Sequence, residues 1–255
     1  MTLIDIIGVN HTYESSHGEV HALKDVFMKV DTGQFVSILG PSGCGKSTLL
    51  KLIAGFITPS GGEITFHGKV IESPITEVGI VFQESLLFDW KNVLENVLVQ
   101  IRIRKRPVSE YELKAKQLLE NVGLGEFIYK RPFELSGGMK QRVAICRALV
   151  HDPQLLLMDE PFGALDALTR EQMRYDLEKI WMDKRKTVVF VTHSITEAVS
   201  LSDRVFVMTK RPGTIESIVD IPLERPRSDK KKRTELEKYA DQIYDIMYEQ
   251  GLLKL

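Results

Sequence analysis

The stretch Gly40-Pro41-Ser42-Gly43-Cys44-Gly45-Lys46-Ser47-Thr48 decides the fold. It satisfies the pattern G-x-x-x-x-G-K-[ST] at every required position. Its flanks are the ones that pattern demands. Gln34 to Leu39 predicts a strand, with Phe35, Val36, Ile38 and Leu39 supplying bulk, and Ser47 to Ala54 predicts an apolar helix. Glycines let a backbone close around an anion with its N–H groups turned inward. The helix that begins near Lys46 adds the positive end of its dipole. Lys46 then reaches the β- and γ-phosphates of a nucleotide, and the Ser47 hydroxyl holds Mg²⁺. A chance glycine-rich turn would not bring strand, loop and helix into register, so the sequence predicts nucleoside triphosphate binding.

Upstream, Leu3 to Val9, Glu19 to Leu23 and Val26 to Val30 read as short β pieces. Ser15-Ser16-His17-Gly18 and Asp31-Thr32-Gly33 supply turns. Tyr13 either stacks on a nucleotide base or is an ordinary sheet tyrosine. Downstream, Pro59-Ser60-Gly61-Gly62 turns the chain into a strand over Glu63 to His67. Val78 to Phe82 is a short buried strand that delivers Gln83 at its end, where α/β proteins place active groups; a solvated loop glutamine is the alternative.

Beyond Gln83 the periodicity turns helical, with Val93, Val97 and Ile101 in step. Ser109 and Glu112 form a capping-box pattern before Tyr111, Ala115, Leu118, Leu119 and Val122, and Gly123 closes that helix. Leu86-Leu87-Phe88-Asp89-Trp90 is apolar for a connection, which fits either core packing or a docking surface. Leu135-Ser136-Gly137-Gly138-Met139-Lys140-Gln141-Arg142 opens a further helix to about Val150, a second potential anion site. Leu155 to Met158 then reads as a fully buried parallel strand running into Asp159 and Glu160. Beside a phosphate loop, Asp159 would assist Mg²⁺ and Glu160 would orient or polarise the attacking water. Thr187 to Thr192 is another buried strand and ends at His193, catalytic or structural; Val205 to Met208 is the last core strand. Such alternation predicts a mostly parallel sheet covered by helices.

From Pro222 the composition shifts to a basic link, Arg225 to Arg233, read as a solvated run, with contact to anionic lipid headgroups as the alternative. A helix follows with Leu236, Ala240, Ile243, Tyr244 and Met247 on one face, packed on its own core. The 255-residue chain has a formal charge of −1, which gives no sign of a nucleic-acid binder. Its two cysteines, Cys44 and Cys146, suit a reducing compartment. Neither a signal peptide nor a membrane-spanning apolar run is expected.

These pieces together resemble the nucleotide-binding subunit of an ABC transporter, over roughly residues 3 to 220. The phosphate loop, the Leu135 to Arg142 octapeptide and the Asp159-Glu160 pair stand in that family's order. The octapeptide is the specific signal, with Met139 where glutamine is frequent, a variant common in importer subunits. The resemblance implies an α/β fold: a P-loop NTPase core with a mostly parallel sheet, an N-terminal antiparallel β subdomain and a helical insertion. The cassette would span 1–220, with the insertion at about 86–145, and 221–255 would form a C-terminal link and amphipathic helix.

The same resemblance assigns roles. Glu160, His193 and Gln83 are catalytic, His193 as the switch histidine. Ser47, Gln83 and Asp159 are the Mg²⁺ residues. Tyr13, Gly40, Pro41, Ser42, Gly43, Cys44, Gly45, Lys46, Ser47, Thr48, Ser136, Gly137, Gly138 and the D-loop residue Asp166 hold ATP. It also implies a head-to-tail dimer, homomeric or with a paired ATPase subunit, in which Ser136 and Gly138 of one chain meet the γ-phosphate held by Lys46 of the other. Membrane-spanning permease subunits and, indirectly, a solute-binding protein follow as partners, on the cytoplasmic face of the membrane. Leu86 to Val97 and Thr209-Lys210-Arg211-Pro212-Gly213 look like the nitrate/sulfonate/taurine importers, although Asp89 stands where that group has proline. Two other readings are a soluble ABC-type ATPase, which usually joins two cassettes or carries long coiled coils, and an unrelated phosphate-loop kinase, which leaves the octapeptide unexplained.

Overall fold

The computed structural model describes residues 1–15 and 18–252, so Ser16 and His17 of the expected first turn and the last three residues of the tail lie outside the described residues. In chain order the elements are β1 (Thr2–Ser15), β2 (Gly18–Asp31), β3 (Phe35–Leu39), α1 (Lys46–Ile53), β4 (Gly61–Phe66), β5 (Lys69–Val70) and β6 (Val78–Val81). Then come α2 (Val93–Ile103), α3 (Val108–Asn121), α4 (Gly137–Leu149), β7 (Leu155–Asp159), α5 (Ala167–Lys184), β8 (Thr187–Thr192), α6 (Ile195–Leu201), β9 (Arg204–Met208), β10 (Ile215–Asp220) and α7 (Arg233–Glu249). The chain divides into two units, Met1–Thr76 with Arg185–Leu255, and Glu77–Lys184.

In the first unit β2, β1, β4 and β5 form an antiparallel sheet, in that order. The short pieces expected near the N-terminus are parts of two long strands. Lys24-Asp25, which reads as a break, is absorbed by a bulge: Val9 pairs with Val26, but His11 pairs with Leu23. Asn10 stabilises the bulge, donating to the Gly8 carbonyl and the Asp25 carboxylate and accepting from the Asp25 N–H at 3.0 Å. That bond holds Asp25 at a positive φ of 45°.

The second sheet of this unit places β3 between β8 and β9, parallel to both, with β10 antiparallel beyond β9. Every side chain of β3 and β8 is buried, which is why both strands read as unbroken apolar runs. β10 is an addition to the expected set of strands; its half-exposed alternation lacks the bulk of a central strand. Leu39, Val205 and Val207 join α6 and α7 in one cluster closed by Ile243 and Met247. Burying those last two side chains contributes roughly 3–6 kcal/mol before the entropy of ordering the helix. Tyr239 packs on this cluster, whereas Tyr244 is 42% exposed, a correction to the face read from the sequence.

The basic link also needs correction. Arg227 is 3% exposed and donates to the carbonyls of Val199, Ser202, Ile221 and Leu223. Arg225 donates to the Leu201 carbonyl at 2.6 Å and the Asp203 carboxylate at 2.7 Å. The last-turn carbonyls of α6 have no partner within their own helix, and these two arginines neutralise that end. Beyond them Lys231 and Arg233 are exposed, as charge alone suggests, while Lys232 is half-buried and donates to the Glu224 carbonyl at 2.6 Å.

In the second unit β6 and β7 pair in parallel, and α2, α3 and α4 enclose a core of Val93, Val97, Ile101, Ala115, Leu119 and Val143 among others. The capping box belongs to α2, where the Asn92 side chain accepts from the Glu95 N–H and Glu95 accepts from the Asn92 N–H. The expected box at Ser109 is absent because Pro107, with φ of −65°, opens α3 earlier and leaves Ser109 inside the first turn. Glu112 instead pairs with Lys116 one turn on, at 2.7 Å. Gly123, at φ 73°, ends α3 as expected.

His151 follows α4 and is 7% exposed. Burial first, and then the charges of Arg104, Arg106 and Lys114, push it down to about 4. The unfolded chain binds this proton near pH 6.5 and the folded chain does not, so the contribution is complete above 6.5 and is lost as pH falls toward 4. Denaturant titrations across that window should show His151→Phe losing a slope of up to about 1.4 kcal/mol per pH unit relative to the parent. Identical pH profiles for the two proteins would contradict the burial argument.

Candidate functional site

In the first unit, the loop from β3 to α1 is shaped by residues that a side chain would spoil. Gly43 and Gly45 have φ of 75° and 114°, and a Cβ on Gly45 would lie 2.7 Å from Leu23 Cδ2. A Cβ on Gly40 would come 3.0 Å from Cys44 Sγ, whose side chain is buried beneath the loop. Pro41 is half-buried, while Ser42 and Ser47 are exposed. No side chain caps α1, so its first-turn N–H groups keep the character of an anion site. Lys46 is 4% exposed, and its Nζ donates to the carbonyls of Gly40 and Pro41, both at 2.9 Å. The ammonium thus already lies in the crook of the loop.

Tyr13 lies beside the same helix: its hydroxyl is 3.2 Å from Thr48 Oγ1, and its ring is 37% exposed. His11, one strand repeat back, meets that ring edge-on with centroids 4.5 Å apart. Sequence reading passed over His11 because it falls among alternating strand residues. His193 follows β8, which is parallel to β3 with Leu39 opposite Thr192, so both loops leave the same edge of the sheet. The turn after β8 is rigid: Thr192 donates to Glu197 at 2.5 Å, and Ser194 caps α6 by accepting from the Glu197 N–H. Thr192 and Glu197 carried no sequence signal beyond lying near the histidine.

In the second unit, β6 and β7 run parallel with Val81 opposite Met158, so Gln83 and Glu160 each stand two residues beyond a paired position. A Cβ on Gly163 would lie 3.4 Å from both Gln83 Nε2 and the Glu160 carbonyl, which places Gln83 against this turn. Asp159 ends β7, half-buried. Glu160 holds φ of 43°, a left-handed conformation that is strained for a side-chain-bearing residue.

Ser136 caps α4, its hydroxyl accepting from the Met139 N–H at 3.3 Å, while Gly137 is exposed and Gly138 is buried against Thr169. The Asp166 carboxylate accepts from the Thr169 N–H at 3.0 Å; the hydrogen bonds from Thr169 hold its pKa below the usual carboxylate value. Thr169 therefore joins the helix start at Ser136 to the Asp166 turn. Ser136, Gly138, Met139, Arg142, Thr169 and Gln172 line an open cavity of about 320 Å³ with Leu168.

A glycine cradle with an inward lysine between a buried parallel strand and a helix defines a phosphate-loop nucleotide-binding protein. The family model described as ABC transporter matches residues 23–163. A taurine import ATP-binding protein from a Jannaschia species is 47% identical over 205 residues, 80% of this chain and 76% of that protein. An aliphatic sulfonates import ATP-binding protein from Bacillus cereus is 44% identical over 225 residues, 88% of each. A dimeric ATP-binding cassette solved in a post-hydrolysis state with ADP and Pi superposes with a TM-score of 0.74 at 32% identity, covering 87% of this chain and all of that one. This chain belongs to the ABC transporter family, as an ATP-binding subunit and ATPase.

Lys46→Ala removes the one ammonium held in the cradle while leaving the glycine geometry in place. Its ATP affinity, measured by calorimetry, is expected to fall by about tenfold or more, on the scale of a charge-assisted hydrogen bond worth roughly 1.5–3 kcal/mol. Unchanged affinity would show that phosphate is not bound there.

Proposed function

We propose that the chain is the motor subunit of an importer, binding ATP between two copies arranged head to tail and hydrolysing it to drive solute uptake through a separate permease. The observation that carries this reading is the presence of two unlike phosphate-ready helix starts in one chain. The start of α1 holds a lysine and no cap; the start of α4 presents Ser136 beside an open cavity. A single nucleotide with one γ-phosphate uses both if each comes from a different copy. Likeness to a cassette solved as a dimer supports that arrangement.

In this mechanism Gly40 to Thr48 wraps the phosphates, and Tyr13 stacks on the base with its ring located by Thr48 and His11. Among the described residues no three His, Cys, Asp or Glu side chains gather into a metal cluster. The donors assigned to Mg²⁺ are instead the Ser47 hydroxyl, the Gln83 amide oxygen and the Asp159 carboxylate. These are hard oxygen ligands suited to an ion that fills its remaining positions with phosphate oxygens and water. Mg²⁺ would neutralise charge on the phosphates as the bond to the γ-phosphate breaks. Glu160 accepts a proton from the attacking water, and His193 reads the γ-phosphate. Ser136, Gly137 and Gly138 of the opposite copy close the site, with Asp166 at the join.

Relatives named for taurine and aliphatic sulfonate import favour an organosulfonate-type importer as the assembly this chain serves. Among the described residues no helix is long and apolar enough to cross a membrane. On this reading, which the import relatives support, the chain works from the cytoplasmic face, docked on permease subunits, with a solute-binding protein reached only through them. Leu86 and Trp90 are 54% and 69% exposed, while Leu87 between them packs on the core of α2 and α4; the exposed pair offers the apolar contact such docking needs.

Glu160→Gln should bind ATP, accumulate the paired form and lose turnover by a factor of about 10²–10⁴, the range of a general base. Wild-type turnover in that variant would exclude Glu160 as the base. Purification of the tagged chain from detergent-solubilised membranes of its source should recover a polytopic permease. Recovery of soluble partners alone would overturn the importer reading and leave the ATPase intact.

A further inference from the structure

The turn Thr209-Lys210-Arg211-Pro212-Gly213 lies between β9 and β10 and carries none of the groups assigned to the nucleotide. It is nevertheless held in one shape. The Thr209 N–H donates to the Thr214 carbonyl, and the Thr209 hydroxyl accepts from the Thr214 N–H, both at 3.1 Å. The same hydroxyl donates to the Lys210 carbonyl at 3.0 Å, and Lys210 Nζ donates to the Gly251 carbonyl beyond α7 at 2.5 Å.

Gly213 is buried and joins this turn to two other elements. Its N–H donates to the Ala22 carbonyl at 2.9 Å and its carbonyl accepts from the Lys24 N–H at 3.0 Å, so it pairs with β2 opposite Leu23. A Cβ on Gly213 would overlap the Cys44 carbonyl oxygen and stand 2.7 Å from Met208 Cε. Its φ lies outside the left-handed region, so close approach excludes a side chain here and the backbone conformation does not.

The oxygen seated against Gly213 belongs to the phosphate loop. In a trans peptide the C=O and N–H point opposite ways, so a Cys44 carbonyl turned toward Gly213 turns the Gly45 N–H away from it. Gly45 is gripped from β2 as well: a Cβ there would lie 2.8 Å from the same Ala22 carbonyl that Gly213 binds. A glycine at φ 114° resists rotation of its own peptide only weakly, so its surroundings must set the direction of that amide.

We propose that Gly213 is a positioning residue of the nucleotide site: it seats the Cys44 carbonyl outside the loop and thereby aims the Gly45 N–H inward, at a phosphate of the bound nucleotide. Gly213 touches no ligand and acts through the Cys44–Gly45 peptide alone. This rests on the proposed wrapping of the phosphates by Gly40 to Thr48.

The test labels the full chain with cysteine carrying ¹³C at its carbonyl and glycine carrying ¹⁵N. Cys44-Gly45 is the only Cys-Gly step in the sequence, since Arg147 follows Cys146, so a carbonyl-edited amide spectrum shows the Gly45 N–H alone. Adding ADP with Mg²⁺ should move the parent's Gly45 proton downfield, as a hydrogen bond to a phosphate oxygen does. Gly213→Ala should lose most of that shift at saturation and bind ADP about tenfold or more weakly by calorimetry, the scale of one hydrogen bond to a charged group. Adding Met208→Leu to it withdraws the methyl that the new Cβ would meet but leaves the Cys44 carbonyl in place, and should restore neither property. If Gly213→Ala does not fold, Thr209→Val, which removes the hydroxyl that closes the turn, takes its place with an expected loss of about threefold in ADP affinity and a reduced Gly45 shift. A folded variant with the parent's affinity overturns the inference and leaves the loop's role standing. Weaker binding with the parent's full Gly45 shift at saturation, or full recovery on adding Met208→Leu, does the same, because packing alone then accounts for the loss. ADP bound by the parent without any response at Gly45 overturns the inference together with the proposed wrapping of the phosphates.

Discussion

Strands buried on both faces have one place to put polar chemistry, which is the edge where their chains leave the sheet. β3 and β8 are buried at every position and run parallel, so the lysine-bearing loop and the His193 turn emerge together. The same holds within β6 and β7, whose ends carry Gln83 and the Asp159-Glu160 pair. The remaining elements serve this placement. Leu23 on β2 presses on Gly45 from below, and α6 and α7 seal the far side of β3 and β9.

Electrostatics then separates the two helix starts. At α1 an uncapped first turn and a buried ammonium make a strong anion site, held before any ligand arrives by the Gly40 and Pro41 carbonyls. At α4 a serine already satisfies one N–H, and the partial positive charge of the helix dipole remains without an ammonium folded into the helix start. The first suits tight retention of phosphate; the second suits a contact that forms and releases. On the proposed reading, that difference makes ATP the adhesive of a reversible pair, with hydrolysis weakening the second contact before the first.

Much of the site was legible because its chemistry uses unusual residues at fixed spacing. Gly43, Gly45 and Lys46 lie in the geometry their pattern demands, and Asp159 and Glu160 stand at the end of the strand read from Leu155 to Met158. Some of the missed features depend on partners distant in sequence. The Lys24-Asp25 bulge is held by Asn10, on the neighbouring strand. Arg225 and Arg227 look solvated until the end of α6 brings carbonyls to them. His11, Thr169 and Asn96 act on near neighbours in the chain, Tyr13 on the same strand, Asp166 three residues back and the Phe88 to Asn92 backbone, but none of them stands in a pattern that marks it out. The insertion's helices were readable from periodicity, but the cap at Asn92 and the start at Pro107 required knowing which turn each helix begins on.

The central claim is that each ATP site takes its cradle from one copy and its Ser136 helix from the other. Mixing a Lys46→Ala chain with a Ser136→Arg chain tests it most directly through ATPase rate. Each variant alone lacks one half of both sites and should be inactive. A head-to-tail mixed pair places both lesions in one site and leaves the other whole, so activity should return on mixing. If the mixture stays as inactive as its components, although the chains associate, the two half-sites belong to one copy and the account is wrong.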